Sequence, residues 1–329
     1  MKNILILLLV VMNISACGKA SKNSNNTSSA SQVKTVNVPL FSADSAYQYV
    51  QDQVDFGPRV PNTYAHSTCA MYLAHALRGF GAEVIEQRAD LIAFDGTKLR
   101  ATNIIGSFQP ENKNRILLFA HWDSRPWADH DPDPANRKKH IAGANDGASG
   151  VGVLLEVARQ LGKQQPNVGV DIIFFDAEDY GAPEHLSNRN TEHSWCLGSQ
   201  YWARNPHVPN YRANYGILLD MVGAPDATFF REYFSDYFAS HIVEKVWNQA
   251  KNLGFDRYFI SQRGGAVTDD HLYVNQLIGI PSVNIIQYNP NSGRGFGDYW
   301  HTINDTMENI DKNTLQAVGT TLLYVIYNE

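Results

Sequence analysis

The pattern of hydrophobic and polar positions divides most of the chain into alternating strands and helices. Four short apolar runs, rich in β-branched and aromatic residues, predict strands buried on both faces: 115–120, 170–175, 215–222 and 281–286. Residues 82–93 alternate well enough to predict further strand structure. Helical periodicity marks residues 44–53, 63–79, 150–161, 235–253, 269–277 and 313–327. This order predicts an α/β fold, a single-domain three-layer αβα sandwich with a central, mostly parallel mixed sheet.

The N-terminal 33 residues follow a different pattern. Lys2 precedes an apolar run at 4–12 that is too short to span a bilayer, and small residues then lead to Cys17. This arrangement resembles a bacterial lipoprotein signal, which predicts a signal peptide at 1–16 and a lipidated Cys17; an ordinary signal with a chance Cys is the alternative. With Cys17, the Ser- and Asn-rich stretch predicts a flexible tether over 17–33. We therefore expect a domain at 34–329 exported to the bacterial cell envelope, facing the periplasm and anchored to a membrane by lipid.

Composition narrows the possible partners and the redox chemistry. The 329 residues carry a formal net charge of -6, and such an acidic balance argues against nucleic acid as a partner. Three cysteines are too few for a disulfide framework. An envelope location would permit a bridge between Cys69 and Cys196, and two free buried thiols are the equal alternative.

Charged and polar side chains follow three of the apolar runs at the point where each strand would end. Ligands of open α/β sheets bind beyond the carboxyl ends of the strands, so these groups should converge on one crevice. Any one of them alone would more often be a capping or turn residue. The shared placement of the whole set favours a site: His121 and Asp123 after the first run, Asp176, Glu178 and Asp179 after the second, and Asp220 after the third.

Two further segments supply candidates for the same site. A glycine-rich turn at 143–150 holds Asp146 at the head of a helix, where a simple N-cap is the alternative. A phosphate loop is excluded because its G-x-x-x-x-G-K-[ST] pattern is absent. His301 lies in a loop after the last strand. Two histidines and several carboxylates without a thiolate suit Zn²⁺ with about three protein ligands. The remaining carboxylates would transfer protons, because crowding of like charges raises at least one pKa.

These motifs resemble those of known enzymes. H-x-D at 121–123, N-D-G-x-S-G at 145–150 and the later acidic residues and His resemble the zinc-dependent aminopeptidase-like hydrolases. Their two-metal set has counterparts at His121, Asp146, Asp179, Asp220 and His301. Four other motifs are similar instead to the animal-type glutaminyl cyclases, a one-zinc offshoot of that fold with bacterial members: F-F-D-A-E-D at 174–179, L-D-M-V-G-A-P at 219–225, T-D-D-H at 268–271 and W-H-T at 300–302.

The resemblance implies a role for each matching position. One zinc ion would be held by Asp146, Asp179 and His301, although the animal enzymes carry Glu at the position of Asp179. Glu178 would be the proton shuttle, and Asp220 and Asp269 would form a hydrogen-bond network beside it; Asp270 is the alternative to Asp269. Substrate would lie against three side chains: Trp300, Trp195 and Val267.

The implied function is cyclisation of an N-terminal Gln of peptides and proteins to pyroglutamate with release of ammonia. Such an enzyme is a glutaminyl-peptide cyclotransferase, and its partners would be Gln-initiated peptides and a membrane, not nucleic acid. A zinc-dependent aminopeptidase, which hydrolyses N-terminal residues, is the alternative because it uses nearly the same residues. A non-catalytic envelope binding protein is a third hypothesis. It is disfavoured because every position of the carboxylate set holds a residue that could serve in catalysis.

Overall fold

A six-stranded sheet forms the centre of the computed structural model, which describes residues 36–186, 188, 191 and 193–329. The strands of these residues are β1 (Glu83–Ile92), β2 (Lys98–Phe108), β3 (Arg115–His121), β4 (Gly169–Phe175), β5 (Gly216–Asp220), β6 (Phe229–Arg231), β7 (Phe259–Arg263) and β8 (Ser282–Ile286). In the main sheet the order is β1–β2–β4–β3–β5–β8, and β6 and β7 form a small parallel pair. Strands β1, β2 and β4 are antiparallel neighbours, whereas β4, β3, β5 and β8 run parallel.

In the described part of the chain, seven α-helices pack around this sheet. They are α1 (Ala43–Asp55), α2 (Tyr64–Gly79), α3 (Ala148–Lys163), α4 (Leu197–Arg204), α5 (Tyr233–Asn252), α6 (Asp270–Tyr273) and α7 (Lys312–Tyr327). Helices α1, α2, α3, α5 and α7 share one apolar core with one face of the strands. On the other face, a second core includes residues of α4 and of the π-helical turn Val274–Ile278 that follows α6. The predicted three-layer αβα sandwich with a mostly parallel mixed sheet is confirmed.

The strand sequence explains how two cores form on one sheet. Successive side chains of a strand point to opposite faces. Accordingly Ile116 and Leu118 of β3 enter the larger core, and Leu117 and Phe119 enter the smaller one. All seven residues of β3 and of β4 are buried, as the continuous apolar runs predicted. These buried strands hold the site because their carboxyl ends lie at one edge of the sheet.

Several boundaries differ from the sequence predictions. The stretch 82–93 is one strand whose hairpin partner β2 was not predicted, and α4 was not predicted either. The helix predicted at 269–277 is one turn of α-helix followed by a π-helical turn. Cys69 and Cys196 are both buried and free, so a bridge between them is excluded. The signal peptide, Cys17 and the tether lie outside the described residues. Among the helices that the structure describes, none is long and apolar enough to cross a membrane.

Two glycines allow the close packing that places α3 under the site. Gly147 has a φ of 97°, and a Cβ there would lie 2.6 Å from the carbonyl oxygen of Asp123. At Gly150 a Cβ would lie 2.3 Å from the carbonyl oxygen of Leu219. Only glycine therefore lets the head of α3 approach the ends of β3 and β5. This approach brings Asp146 to the same edge of the sheet as Asp220.

Candidate active site

A cavity of about 290 Å³ opens at the carboxyl ends of the parallel strands. Its lining includes every side chain that the sequence assigned to catalysis, metal binding or substrate binding: Glu178, Asp220, Asp269, Asp146, Asp179, His301, Trp300, Trp195 and Val267. The structure thus brings together residues that are up to 155 positions apart along the chain. Further lining comes from residues that the sequence did not single out, among them Tyr288, Arg294 and Phe296. Asp270 is buried and does not line the cavity, which favours Asp269 of the two.

Left-handed backbone at non-glycine residues turns the chain sharply around this cavity. Met221 directly follows β5 and has a φ of 48°, and Ala177 lies two residues after the end of β4 and has a φ of 52°. His301 and Cys196 have φ of 54° and 58°. Such conformations cost energy in residues with a Cβ, and they cluster at functional sites where surrounding contacts hold them. Here they separate neighbouring side chains, so that Glu178 and Asp179 both face the cavity.

Asp146, Asp179 and His301 form a group that fits a divalent metal. Their ligand atoms lie within 4.8 Å of one another. The Nε2 of His301 is 3.3 Å from an Asp179 oxygen and 3.5 Å from an Asp146 oxygen. The other Asp179 oxygen, Oδ2, is buried without a hydrogen-bond partner among the described residues. Burial lowers the pKa of His301 well below its usual value, aided by nearby Arg125, so the imidazole is neutral, as a metal ligand must be. Two carboxylates and one imidazole are a donor set that zinc accepts.

Three buried side chains whose supporting roles the sequence did not reveal hold these candidate ligands in place. Asp123 accepts hydrogen bonds from the backbone N–H groups of Glu178 (3.1 Å) and Asp179 (3.2 Å). Asp305 accepts from the N–H of Asp146 (3.0 Å). Arg125 donates to the carbonyl oxygen of Asp179 (2.9 Å). The H-x-D motif was the available signal for Asp123, whereas nothing local marks the other two.

His121 forms a second three-residue group with Asp146 and Asp220. Its Nε2 lies 3.0 Å from an Asp146 oxygen and 3.2 Å from an Asp220 oxygen. All three side chains are buried, and their ligand atoms also lie within 4.8 Å of one another. Asp146 therefore belongs to both groups, as a residue that bridges two metal positions would.

Glu178 lies beside these groups in an environment that favours its neutral form. Its Oε1 is 3.1 Å from the Sγ of Cys196, which donates to it. Burial raises the pKa of Glu178 well above its usual value, and the charges of Asp269 and Asp179 add to the effect while His121 opposes it. Burial is also the main reason that the pKa of Asp220 is raised to about 7. A carboxyl group in this condition can take up and release a proton near neutral pH.

Asp269 is fixed by its position at the start of α6. As the N-cap of that helix it accepts from the backbone N–H of Asp270 at 2.6 Å. The side-chain amide of Asn284 on β8 donates to its other oxygen at 2.6 Å. Its pKa is raised by burial, as expected for a carboxyl group at the bottom of an acidic cavity.

Two tryptophans form the aromatic wall of the cavity. The ring of Trp300 stacks on His301 with centroids 3.8 Å apart. The ring of Trp195 is nearly parallel to the same imidazole at 5.9 Å and 7°, and the guanidinium of Arg125 lies 4.5 Å from its centroid. Val267 adds an apolar surface in a loop before α6. The cavity therefore combines an acidic, metal-binding end with flat apolar walls.

An αβα sandwich with carboxylates and histidines clustered at its strand ends defines a protein of the zinc-exopeptidase-like class. The family model of peptidase family M28 matches residues 103–326, and the chain belongs to this family. Over 259 aligned residues, the chain is 27% identical to glutaminyl-peptide cyclotransferase of Bos taurus. The alignment covers 67% of this chain and 64% of that protein. The chain thus spans slightly less than two thirds of that relative's length.

Solved structures match the chain more closely. A Zn-dependent exopeptidase from Parabacteroides distasonis has 61% identity and a TM-score of 0.88, with 89% of this chain and 100% of that chain covered. Glutaminyl cyclase of Bacteroides thetaiotaomicron has 59% identity and a TM-score of 0.87, with the same coverage. The resemblance to glutaminyl cyclases on the zinc-peptidase fold is confirmed by these similarities.

Proposed function

We propose that this protein is a glutaminyl-peptide cyclotransferase that uses one zinc ion. It converts an N-terminal Gln of a peptide or protein to pyroglutamate and releases ammonia. The observation that carries the proposal is the cavity itself, in which Glu178 and the Asp146–Asp179–His301 group lie at one end of a small, aromatic-walled space. A cavity of about 290 Å³ suits the first residue of a chain rather than a long peptide segment.

Asp146, Asp179 and His301 would hold the zinc. When bound, zinc supplies a Lewis acid that polarises an amide carbonyl. Asp123, Asp305 and Arg125 keep the ligand-bearing backbone in place through the hydrogen bonds described above. Such support orients the ligands before metal arrives.

The protein's carboxyl groups move the proton that the reaction transfers. The substrate α-amine attacks the side-chain amide carbon, so a C–N bond forms and the bond to the amide nitrogen breaks. Glu178 takes a proton from the amine and delivers it to the departing nitrogen, which leaves as ammonia. The charge of Asp269 adds to the burial that keeps the pKa of Glu178 high. Asp220, whose own pKa is raised to about 7 mainly by burial, lines the same cavity.

The walls of the cavity orient the reacting residue. Trp300 and Trp195 would hold the flat amide and the aliphatic part of the Gln side chain, and Val267 would limit movement on the opposite side. Since amine and amide already belong to one residue, orientation supplies much of the rate. The walls also reduce access of water, which would otherwise compete with the amine.

Incubation with a Gln-initiated peptide tests the proposal. We expect the peptide to lose the mass of one ammonia and to keep its length, as measured by mass spectrometry. Release of free Gln, with a peptide shortened by one residue, would contradict cyclisation. An otherwise identical peptide that begins with Asn is the control, because its shorter side chain would form a four-membered ring.

A zinc aminopeptidase is the second candidate, and the His121–Asp146–Asp220 group favours it. This group, together with the first, provides ligands for two neighbouring metal ions that share Asp146. Two-metal sites serve peptide hydrolysis in aminopeptidases. Metal analysis of the purified protein distinguishes the candidates: one zinc per chain agrees with the cyclase, and two agree with the peptidase.

We further propose that the enzyme is exported to the bacterial envelope and is anchored through a lipid on Cys17. The apolar run that ends on this Cys supports the proposal. We expect the full-length protein to sediment with membranes and to incorporate labelled palmitate, and Cys17→Ser to abolish both. A Cys17→Ser variant that still sediments with membranes and carries the label would contradict lipidation at this residue.

A further inference from the structure

Glu232 is a buried carboxylate outside the cavity, and it receives an unusual number of hydrogen bonds. It is the N-cap of α5, where it accepts from the backbone N–H groups of Phe234 (3.0 Å) and Ser235 (2.7 Å). The hydroxyl of Ser235 and the Nε2 of His271 also lie within hydrogen-bond distance, at 2.8 and 2.9 Å. Only 2% of Glu232 is exposed. Burial raises its pKa, but the bond with His271 and the backbone donors outweigh burial and lower the pKa to about 2.

The same carboxylate binds the loop that forms one wall of the cavity. This wall loop, residues 264–268, connects β7 to the start of α6 and includes Gly264 and Gly265. Its first part is held by backbone hydrogen bonds to Arg231 and Tyr233. Farther along, the N–H of Val267 donates to Oε1 of Glu232 at 3.0 Å. Within the described residues, this is the one hydrogen bond that holds residues 266–268 to the rest of the domain.

A second route leads from Glu232 to the bottom of the cavity. Ser235, whose hydroxyl donates to Glu232, accepts the backbone N–H of Asn284 at 2.9 Å. The side-chain amide of Asn284 donates to Asp269 at 2.6 Å. Glu232 thus supports the C-terminal part of the wall loop, through Val267 directly and indirectly through Asp269, which follows the loop.

We propose that Glu232 is a positioning residue that fixes the substrate-facing wall of the cavity. It acts from the end of α5 on Val267 and Asp269 and touches no reacting atom. Its kinetic consequence rests on the proposed function, but its effect on the loop does not. Ordinary helix capping would stabilise α5 and leave the wall loop unaffected, so the two roles predict different results.

Trypsin provides a readout of the loop that requires no activity. Arg263 ends β7 with a side chain that is 84% exposed, and the next bond begins the wall loop. We expect Glu232→Ala to speed cleavage after Arg263 by about tenfold or more under native conditions, because cleavage requires local opening. Asp311→Ala is the matched control. Asp311 also caps a long helix by accepting two backbone N–H groups, and it lies at the start of α7. This control should leave cleavage after Arg263 unchanged.

Steady-state kinetics on a Gln-initiated peptide give the second readout. Displacement of Val267 should raise KM, and displacement of Asp269 should lower kcat, with kcat/KM falling roughly 10- to 100-fold. Asp311→Ala should keep both values. Unchanged cleavage and unchanged kinetics in a folded Glu232→Ala variant would overturn the inference. If the wild type fails to cyclise the peptide, the proposed function fails, and the trypsin comparison still decides the role of Glu232.

Glu232→Gln keeps the test decisive if the Ala variant does not fold. The amide offers one oxygen in place of two and cannot accept from all five donors, so both effects should appear in the same direction but smaller. Equal cleavage rates and equal KM in wild type and Glu232→Gln would then overturn the inference.

Discussion

Glu178 and Asp179 are adjacent carboxylates with different surroundings. Asp179 lies against His301 and Arg125, and one of its buried oxygens has no hydrogen-bond partner among the residues that the structure describes. Glu178 instead receives a thiol hydrogen bond and lies near Asp269. Left-handed backbone at Ala177, just before the pair, helps to direct these side chains into the cavity. These different contacts support the proposed division between a metal ligand, Asp179, and a proton carrier, Glu178.

Glu178→Gln should abolish turnover while the bound zinc is retained. The amide keeps the shape of the side chain but cannot carry the proton, and general acid–base catalysis contributes about 10²- to 10⁴-fold. Ammonia release and metal analysis on the same sample measure the two properties. An active variant would remove Glu178 from the mechanism, and loss of zinc would make it part of the metal site.

Cys196→Ala should lower kcat by several fold with little change in KM, because the thiol is the donor that orients Glu178. A hydrogen bond to a buried group contributes about 1 kcal/mol, which corresponds to roughly fivefold. Cys69→Ala is the matched control, since that thiol is also buried and free but lies on α2, away from the cavity. Cys196→Ser, which retains a donor, should recover most of the rate. Equal kcat values for the two Ala variants would contradict the role.

The buried charge of Glu232 should make stability depend on pH in a defined range. Its pKa is about 2 in the folded protein and about 4.5 when unfolded, so its contribution is fully present above pH 4.5 and is lost as the pH falls toward 2. The difference in unfolding free energy between wild type and Glu232→Gln should therefore shrink between pH 5 and pH 3, from about 2–3 kcal/mol. Urea titrations at several pH values measure it. A difference that stays constant over this range would contradict the ionised state.

At the scale of elements, the site depends on how closely α3 approaches the strand ends. Gly147 and Gly150 bring the helix against the backbone of β3 and β5, and Asp146 is carried with it. Asp220, the last residue of β5, then lies near both His121 and Asp146. The packing of one helix therefore determines the spacing of the candidate ligands.

Gly150→Ala should destabilise the protein by about 1–3 kcal/mol, because the new methyl group would overlap the Leu219 carbonyl oxygen. Gly79→Ala is the control at the end of α2, where a Cβ meets nothing within 4 Å. That variant should be neutral or slightly more stable. Thermal unfolding of both variants measures the effect, and equal midpoints would contradict tight packing at α3.

The strands that are buried on both faces were predictable from their hydrophobic pattern. Elements that depend on pairing or packing with distant segments were missed. The buried strands β3, β4, β5 and β8 were located within two residues, because parallel strands covered on both faces are continuously apolar. Strand β2 was missed although residues 98–101 alternate exposed charged and buried apolar residues, which is a strand signal. Its antiparallel register is set by pairing with β1. The left-handed residues at Ala177 and Met221 could not be predicted, since nothing local favours that conformation in a residue with a Cβ.

The residues of the candidate site could be predicted from the sequence, but their distances and supporting contacts could not. Polar residues at strand ends must converge, which predicted Glu178, Asp179 and Asp220 as part of one site. The resemblance to glutaminyl cyclases implied Asp269 and the substrate-facing residues Trp300, Trp195 and Val267. Supporting residues such as Arg125 and Asp305 are fixed by tertiary contacts, and no spacing in the sequence reveals them. Whether each of the site residues performs its assigned role stays a prediction.

At the scale of the whole molecule, part of the chain's excess of acidic residues is concentrated at the candidate site. Several of its carboxylates are buried together at one end of the sheet, where burial and mutual repulsion raise the pKa values of Glu178, Asp179 and Asp220. Buried like charges oppose folding unless a cation or protons offset them. A zinc ion at Asp146, Asp179 and His301 would therefore stabilise the fold as well as serve the reaction.

Removal of zinc with a chelator should lower the unfolding temperature and abolish activity, and added zinc should restore both. Binding to the folded state alone stabilises it by about 2.7 kcal/mol at a hundredfold excess over Kd, so the midpoint should rise with free zinc concentration. His301→Ala should lose this dependence together with the metal. His140→Ala, at an exposed position of the loop before α3, should keep both and serves as the matched control. A His301→Ala variant that still binds one zinc per chain would show that the ligand set is assigned wrongly, because the cavity would then hold its metal without the one imidazole of the Asp146–Asp179–His301 group.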